Sequence, residues 1–393
     1  MISPASRVYI DASVPVLRKH GLTITTTFYR NVFAEIPALT NLFNMGNQAT
    51  GAQQQSLASA VFAYAANIGS PEKLVPVIER IVQKHVSVGV RAEHYPIVGR
   101  HLLGAIAETL GDAATPALLD AWAEAYGSLA KLFIDAEQAL YANAGIEPGQ
   151  TRAMRVASVV RESAEVVSLR MVPVDGGAIP HFQAGQYLSV LVDFNDGHSQ
   201  IRQYSLSDAP GGDSLRISVK RENGTTMPAG EVSDWIHQHV TEGSVLQVSL
   251  PRGDFVIDTE SDQPLVLLSA GVGITPMIAA LNHIAQTNPQ RHMVFAHAAR
   301  DSAHHAHQND VNAAMARMPN LQVQTFYEQG AGALEGWMDI ARLPAWPRAE
   351  TEVYMCGPLP FMQAQWKALL AAGVPPARLH REVFGPEALD HIL

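Results

Sequence analysis

Two ionisable side chains stand among apolar residues in the first 147 residues of the 393-residue chain, where helical spacing predicts burial. His85 lies on an apolar stripe within residues 74–88, and Glu137 lies on another within residues 122–140. A buried carboxylate is costly unless it is paired, and His85 is the natural donor for Glu137. A histidine in such a place either completes a core hydrogen bond or binds a ligand, and the residue alone leaves both open.

A second candidate group, Arg202-Gln203-Tyr204-Ser205, lies on a segment that alternates like a strand. A strand presents Arg202 and Tyr204 on one face and Gln203 and Ser205 on the other. This set suits a flavin, because an arginine can bind a phosphate, an aromatic ring can pack against the isoalloxazine, and a hydroxyl can reach a ring nitrogen. The alternative is an exposed strand with an ordinary arginine.

Two glycine-containing turns follow predicted strands in the last third of the chain. The first is Gly271-Val272-Gly273-Ile274-Thr275-Pro276, where glycines let the backbone approach a pyrophosphate at a helix N-terminus. Pro276 stands where the G-x-G-x-x-G fingerprint has its third glycine, so a generic tight turn is the alternative. The second is Cys356-Gly357-Pro358, whose apolar context favours a small buried Cys356 over a nucleophile.

Three histidines, His304, His305 and His307, lie close together and raise the possibility of a metal site. They fall where a polar surface helix should begin, and the sequence fixes no carboxylate beside them. A solvated helix surface is therefore the favoured interpretation, and a specific metal site is the alternative.

Three kinds of scaffold must position these groups, and the periodicity predicts each of them. Residues 1–147 show helical spacing almost throughout, which predicts an all-α domain. Residues 152–258 carry short runs of period two between turns, which predict an antiparallel β-barrel. Residues 263–393 alternate strand and helix, which predicts an α/β domain with a parallel sheet and a ligand at the carboxyl ends of its strands.

The composition narrows the classes of protein. Hydrophobic residues make up 47% of the chain and charged residues only 16%, which predicts packed globular domains rather than disorder. The net charge of −10 argues against a nucleic-acid partner. A single cysteine and the lack of a signal-peptide pattern predict a cytoplasmic protein. The uncharged stretch 263–290 contains glycines and a proline, so no transmembrane segment is expected.

The helical segment resembles the globin family, and specifically the flavohaemoglobins. The matching residues are Tyr29, Pro37, Phe43, Gln53, Leu57, His85, Tyr95 and Glu137. The resemblance implies that His85 is the proximal ligand of a haem b iron and that Tyr95 and Glu137 form a hydrogen-bond network with it. It also implies that Tyr29, Gln53 and Leu57 line the distal pocket, that Phe43 wedges the porphyrin, and that Lys84 and Glu382 influence redox behaviour.

The remaining segments resemble ferredoxin-reductase-like flavoproteins, through Gly185-Gln186-Tyr187, RQYS, GVGITP, CGP and a terminal VFGP. The resemblance implies that FAD is bound by Tyr187, Arg202, Gln203, Tyr204 and Ser205 and covered by Val383, Phe384, Gly385 and Pro386. It implies that residues Gly271 to Pro276 hold NADH or NADPH, with Cys356 and Gly357 near the nicotinamide.

The two resemblances together imply a nitric oxide dioxygenase, in which NAD(P)H reduces a haem through FAD and nitric oxide and O2 become nitrate. The alternative is an oxygen-binding or sensing protein whose reductase only keeps the iron ferrous; a flavin reductase with an empty globin domain is a third possibility. A lipid or azole-type ligand in the distal pocket is possible, and no obligatory protein partner is expected. The choice between NADH and NADPH stays open.

Overall fold

The computed structural model describes residues 2–194, 197–222, 224 and 230–386. The chain divides into two compact units. The first comprises Met1–Gln150, Leu191–Ile201 and Gly385–Leu393, and the second comprises Thr151–Val190 and Arg202–Phe384. The three domain boundaries expected from the sequence stay a prediction.

In its described residues the first unit contains six α-helices, which confirms the predicted helical architecture. They are α1 (Pro4–Glu35), α2 (Met45–Ala49), α3 (Ala52–Ala66), α4 (Val75–Val88), α5 (His94–Leu110) and α6 (Pro116–Ala144). Their core is built from long apolar side chains such as Phe28, Ile106 and Trp122, all almost fully buried. None of the described helices has the length and apolar composition needed to cross a bilayer.

Helix α4 carries His85 one turn before its C-terminal end. Gly89 ends the helix in the left-handed conformation at φ +78°, and the N–H of Val90 donates to the carbonyl oxygen of His85. A Cβ on Gly89 would lie 2.5 Å from Cα of Gly149, so this position needs glycine for its close approach as well as for its φ. Gly89 is therefore the C-terminal cap of the helix that carries His85.

The antiparallel sheet has six strands, as the period-two runs predicted. They are β1 (Arg152–Arg161), β2 (Val166–Pro173), β3 (Tyr187–Asp193), β4 (Ser199–Ser205), β5 (Leu215–Lys220) and β6 (Val245–Val248), and they lie in the order β4-β3-β6-β1-β2-β5. An antiparallel bridge between Leu206 and Ile217 joins the two edges, which closes the sheet into a barrel. Helix α7 (Glu231–His239) was not predicted in this segment; it buries Val232 and Ile236.

The parallel sheet also has six strands, and helices connect most of them. The strands are β7 (Leu265–Ala270), β8 (Met293–Ala299), β9 (Leu321–Tyr327), β10 (Leu334–Glu335), β11 (Glu352–Cys356) and β12 (Leu379–Glu382); the helices are α8 (Ile274–Thr287), α9 (Gln308–Arg317) and α10 (Leu359–Ala371). The order β10-β9-β8-β7-β11-β12 reverses direction between β7 and β11. Ligands bind at such switch points in open α/β sheets. Strands β10 and β12 were not predicted.

Candidate functional site

A buried carboxylate on α6 holds one nitrogen of the histidine on α4. The distance between Nδ1 of His85 and Oε1 of Glu137 is 2.7 Å, and the hydroxyl of Tyr95 donates to the same carboxylate oxygen at 2.5 Å. Tyr95 also lies 3.1 Å from Nδ1 of His85. Glu137 is only 1% exposed, and these two donors offset the cost of burying its charge. The predicted pairing of His85 with Glu137 is confirmed.

Aromatic side chains from α5 and α6 fix this group. The ring of Phe133 lies 5.7 Å from the His85 ring and stacks on Tyr95 at 6.3 Å, measured between centroids. Tyr126 donates its hydroxyl proton to the backbone carbonyl of Tyr95 at 2.7 Å. A Cβ on Gly99 would lie 2.6 Å from the Tyr126 ring, so glycine there gives Tyr126 room to reach this carbonyl.

The second ring nitrogen of His85 is available for a ligand. Both hydrogen bonds that the described part of the chain makes to the His85 side chain use Nδ1, and a third of that side chain is exposed. Burial, together with the hydrogen bond to Glu137 and its negative charge, raises the pKa of Tyr95 far above its ordinary value. Tyr95 is therefore a neutral hydroxyl that donates to Glu137, and Nε2 of His85 can bind a metal from the opposite side of the ring.

Helix α1 contributes a second buried hydroxyl, on Tyr29. Tyr29 is 4% exposed, and burial raises its pKa to about 12 against the opposing hydrogen bonds of Gln53 and Gln48. Sequence reasoning missed Gln48. Its signal is weak, because Gln48 stands in a short polar run before the predicted Gln53, but its Oε1 also accepts from Nε2 of Gln54 at 2.9 Å. The side-chain amides of Gln48, Gln53 and Gln54 thus form a cluster beside Tyr29.

The other predicted haem contacts lie in the same helical unit. The ring of Phe43 meets the ring of Tyr29 edge to face, with centroids 5.6 Å apart, and Leu57 is half-buried against the same core. Half-buried apolar side chains of this kind suit the walls of a cofactor cavity. Lys84 is adjacent to His85 in sequence but is not part of its hydrogen-bond group; its Nζ donates to the carbonyl of Gly385 at 2.8 Å.

The predicted flavin residues come together on β3 and β4 of the barrel. Tyr187 is paired with Arg252 through two backbone hydrogen bonds of 2.8 Å. Gly253 has φ +126°, and a Cβ there would lie 3.1 Å from the Tyr187 ring, so the glycine lets this ring pack against the backbone. Burial lowers the pKa of Arg202 and raises that of Tyr204, which leaves a charged guanidinium and a neutral phenol on the same strand. Ser205 is buried, and Gln203 is half-buried.

The two glycine turns meet at the switch point of the parallel sheet. Gly271 and Gly273 form a 3₁₀ turn between β7 and α8, and Gly271 has φ +54°. A Cβ on Gly273 would lie 2.3 Å from the carbonyl oxygen of Cys356, so the backbone of this turn lies directly against the Cys356–Gly357 peptide. A Cβ on Gly271 would meet nothing within 4 Å, which leaves that side of the turn open to a ligand. Thr275 and Pro276 are buried in the first turn of α8.

Cys356 is fully buried at the end of β11, as its apolar context predicted. Burial, and then the charge of Glu382, raises its pKa well above the ordinary value, so the thiol is protonated. Glu382 is the partner of Cys356 in the parallel pairing of β11 and β12. Val383, Phe384, Gly385 and Pro386 follow β12 directly, with Phe384 largely exposed.

The interpretation of the three histidines as a solvated helix surface is wrong for two of them. His305 and His307 are buried, and all three precede α9 rather than begin it. His305 lies beside His297 of β8, with ring centroids 4.6 Å apart, and burial lowers the pKa of both. His307 has Asp310 and Glu162 at its Nδ1, so carboxylates do lie next to it. Only His304 is half-exposed, hydrogen-bonded to Asp301.

Comparison with known proteins adds family membership to this geometry. Residues 26–132 match the globin family model, and residues 267–367 match the model of the oxidoreductase NAD-binding domain. A flavohemoprotein of Bordetella parapertussis is 48% identical over 404 residues, covering 98% of this chain and 99% of the relative. A flavohemoprotein of Deinococcus radiodurans is 46% identical and covers 98% of both chains. The chain belongs to the flavohemoprotein family.

Solved structures agree with this assignment. A flavohemoglobin from Malassezia yamatoensis, solved with bound FAD and haem, has a TM-score of 0.86 at 28% identity and covers 98% of this chain and 100% of its own. The FAD/NAD-binding domain of a nitric oxide dioxygenase from Vibrio cholerae has a TM-score of 0.56 at 38% identity and covers 60% of this chain and 99% of its own. The flavohemoprotein fold therefore extends over nearly the whole chain.

Proposed function

We propose that this flavohemoprotein is a nitric oxide dioxygenase that converts nitric oxide and O2 to nitrate with electrons from NADH or NADPH. The observation that carries the proposal is the buried Glu137 carboxylate on Nδ1 of His85. Relatives of the same full length and the Vibrio cholerae domain support it. When bound, the nicotinamide, FAD and haem supply the redox chemistry, and the protein supplies binding, order and electrostatics.

His85 is the proposed axial ligand of a haem b, through Nε2. The structure fits this role because Nδ1 is already hydrogen-bonded, which fixes the tautomer and leaves Nε2 on the other side of the ring. Phe43 and Leu57 are the proposed apolar contacts of the porphyrin, and Lys84, next to His85, is proposed to lie at its edge.

Glu137 and Tyr95 are the proposed tuning residues. A carboxylate that accepts a hydrogen bond from the Nδ1–H group makes the imidazole a stronger electron donor to iron. This favours chemistry at bound O2 over reversible storage of O2. Tyr95 keeps its own proton, because burial and Glu137 raise its pKa, and its hydroxyl donates to Glu137. Its role is to hold the carboxylate in place.

Tyr29 and Gln53 are proposed to orient the oxygen substrate. With a pKa of about 12, Tyr29 keeps its proton at every physiological pH and can donate a hydrogen bond to a developing negative charge. Gln48 and Gln53 hold the phenol from the side. The raised pKa therefore supports a role for Tyr29 as a hydrogen-bond donor.

We further propose that Tyr187, Arg202, Gln203, Tyr204 and Ser205 bind FAD, with Val383 to Pro386 covering it and Glu382 influencing its redox behaviour. The open turn from Gly271 to Pro276 and the adjoining Cys356–Gly357 peptide are the proposed nicotinamide nucleotide site. The proposed domains are 1–147, 152–258 and 263–393. The proposed setting is the cytoplasm, with O2 and nitric oxide as substrates; a lipid or azole-type ligand of the distal pocket would compete with them.

The test is NADH oxidation by the haem- and FAD-loaded protein in air, followed by stopped flow before and after a pulse of nitric oxide. The proposal predicts slow oxidation before the pulse and rapid oxidation until the nitric oxide is consumed. A normal Soret band without nitric oxide-dependent oxidation would instead make the protein an oxygen-binding haemoprotein whose reductase only maintains ferrous iron.

A further inference from the structure

A second histidine–carboxylate cluster lies in the other compact unit and is made of residues to which no role is assigned above. Glu162, His307 and Asp310 each offer one ligand atom, and the three atoms lie within 4.8 Å of one another. Nδ1 of His307 is 2.8 Å from Oδ2 of Asp310 and 3.7 Å from Oε2 of Glu162. Glu162 directly follows β1, and the other two residues lie at the start of α9.

The remaining polar atoms of His307 and Asp310 are held by neighbours. Nε2 of His307 lies 2.9 Å from Oγ of Ser218, and Oδ1 of Asp310 accepts from Arg216 at 3.1 Å and from Asn282 at 2.9 Å. These contacts fix the ring and the carboxylate so that Nδ1 and Oδ2 face Glu162. Metal-binding histidines and carboxylates are oriented by outer partners of this kind.

Charge also favours a cation at this point. The Glu162 side chain is 9% exposed, and within the described part of the chain its only ion pair is the 3.7 Å contact with His307. The charge of Asp310 is already shared with Arg216 through the other oxygen, so Oδ2 remains directed at the cluster. A half-buried carboxylate with so distant a partner loses part of its hydration, and a bound cation would offset that cost.

We propose that Glu162, His307 and Asp310 bind a first-row divalent transition-metal ion such as Zn²⁺. One imidazole nitrogen and two carboxylate oxygens suit this class, whereas Mg²⁺ and Ca²⁺ prefer oxygen alone. Bonds of about 2.0–2.2 Å in a tetrahedron place ligand atoms about 3.3 Å apart, between the two distances in the structure. Solvent fills the fourth position, and the ion ties the end of β1 to the start of α9.

The experiment uses the full-length protein with haem and FAD. The protein is treated with a chelator, dialysed against micromolar Zn²⁺ and analysed for zinc per chain, and the zinc K-edge absorption spectrum gives the ligand set. The proposal predicts one zinc per chain, bound by nitrogen and oxygen at about 2.0–2.2 Å, with a single imidazole and no sulfur. Zinc should also raise the unfolding temperature.

Matched variants locate the ion. Glu162→Gln keeps the side-chain shape and should weaken zinc binding by more than about 100-fold, because loss of an outer partner alone costs about 10- to 100-fold. Ser218→Ala removes only the partner of Nε2 and should weaken binding by about 10-fold. His304→Ala removes a neighbouring histidine outside the cluster and should leave binding unchanged. FAD content and circular dichroism check that each variant folds.

Three results would overturn the proposal. Wild-type protein that takes up no stoichiometric zinc lacks the site. Unchanged affinity in folded Glu162→Gln, or a spectrum with two or more imidazoles, places the ion elsewhere. Loss of binding in His305→Ala with retention in Glu162→Gln assigns the zinc to the neighbouring pair His297 and His305.

Discussion

His85 and His307 are both held at Nδ1 by a carboxylate, buried in Glu137 and half-buried in Asp310, yet the two sites leave the ring in different states. His85 has Glu137 at 2.7 Å, and a third of its side chain is exposed with Nε2 outside the hydrogen-bond group. His307 has Asp310 at 2.8 Å, is fully buried, and has Nε2 engaged by Ser218. At His85, Nε2 can reach a large ligand. At His307, only the ring edge that carries Nδ1, next to the carboxylates, can reach a ligand.

The difference shows that a histidine–carboxylate pair does not define a function by itself. The other nitrogen and the space around it decide what can bind. At His85 the proposed haem would lie on the side of the ring opposite the carboxylate, whereas at His307 any bound ion must lie on the same side as the carboxylate. The following predictions separate these two roles.

The largest effect is expected from His85→Ala, compared with His307→Gln. Loss of the proposed axial ligand should lower haem content per FAD at least about 10-fold and abolish nitric oxide-dependent NADH oxidation, because axial ligation by histidine holds the iron. His307→Gln should keep the haem content of the wild type. The pyridine haemochrome assay measures the haem content of both variants. Equal haem content in the two would contradict the different roles given to His85 and His307.

A large effect on stability is expected from acid in the second unit. Burial, and then the charge of His307, lowers the pKa of His305 to about 4 in the folded protein, against 6.5 for an ordinary histidine. The unfolded chain therefore binds a proton between pH 6.5 and about 4 that the folded chain does not. The contribution of neutral His305 to the free energy of unfolding is fully present above pH 6.5. It falls by up to about 3 kcal/mol toward pH 4, at about 1.4 kcal/mol for each unit of pKa difference.

Urea unfolding of wild type and His305→Asn at several pH values measures this loss. The variant removes the titrating ring and should show a flatter decline between pH 6.5 and 4. His304→Asn is the matched control, since His304 is half-exposed, and it should decline like the wild type. A His305→Asn profile as steep as that of the wild type would exclude His305 as a source of acid sensitivity.

Glu137→Gln should have an intermediate effect on turnover. The amide keeps the shape but accepts the Nδ1 proton more weakly, so haem stays bound while the iron–histidine stretching frequency falls and turnover slows about 10- to 100-fold. Asp310→Asn should change neither. Resonance Raman spectra of the ferrous proteins give the stretch, and an unchanged stretch with unchanged turnover in Glu137→Gln would remove the tuning role.

The smallest effect on turnover is expected from Tyr95→Phe. This variant keeps the His85–Glu137 hydrogen bond and loses only the hydroxyl that donates to Glu137. Turnover should slow less than in Glu137→Gln, and the free energy of unfolding should fall by about 1.5–3 kcal/mol, the usual contribution of a hydrogen bond to a charged group. Slower turnover in Tyr95→Phe than in Glu137→Gln would show that Tyr95 does more than position the carboxylate.

The sequence predicted the first site better than the second, for a physical reason. His85 and Glu137 interrupt two apolar helical stripes, and the cost of a buried charge is enough to pair them. His307 is buried because Ser218, 89 residues earlier in the chain, meets it from another sheet. The spacing of polar and apolar residues within one segment does not indicate a contact with a distant segment. The sequence therefore predicts all three histidines on the surface.

The same limit explains the other differences. The glycine turns at Gly273 and Cys356 each follow a run of apolar residues, so each was placed at a strand end, and the parallel topology brings the two together. Strand β12 has only four residues, three of them polar or charged, and pairs with β11 at one edge of the sheet. The strand conformation of β12 is specified by its pairing with the buried β11. The sequence of β12 alone does not specify it.

The most direct test of the proposed dioxygenase is the ratio of nitrate formed to NADH oxidised, measured in air during a pulse of nitric oxide with the haem- and FAD-loaded protein. Conversion of one nitric oxide and one O2 to nitrate takes up one electron, and NADH supplies two. The account predicts two nitrates for each NADH oxidised during the pulse. NADH oxidation without nitrate, or nitrate formation that does not depend on nitric oxide, would contradict it.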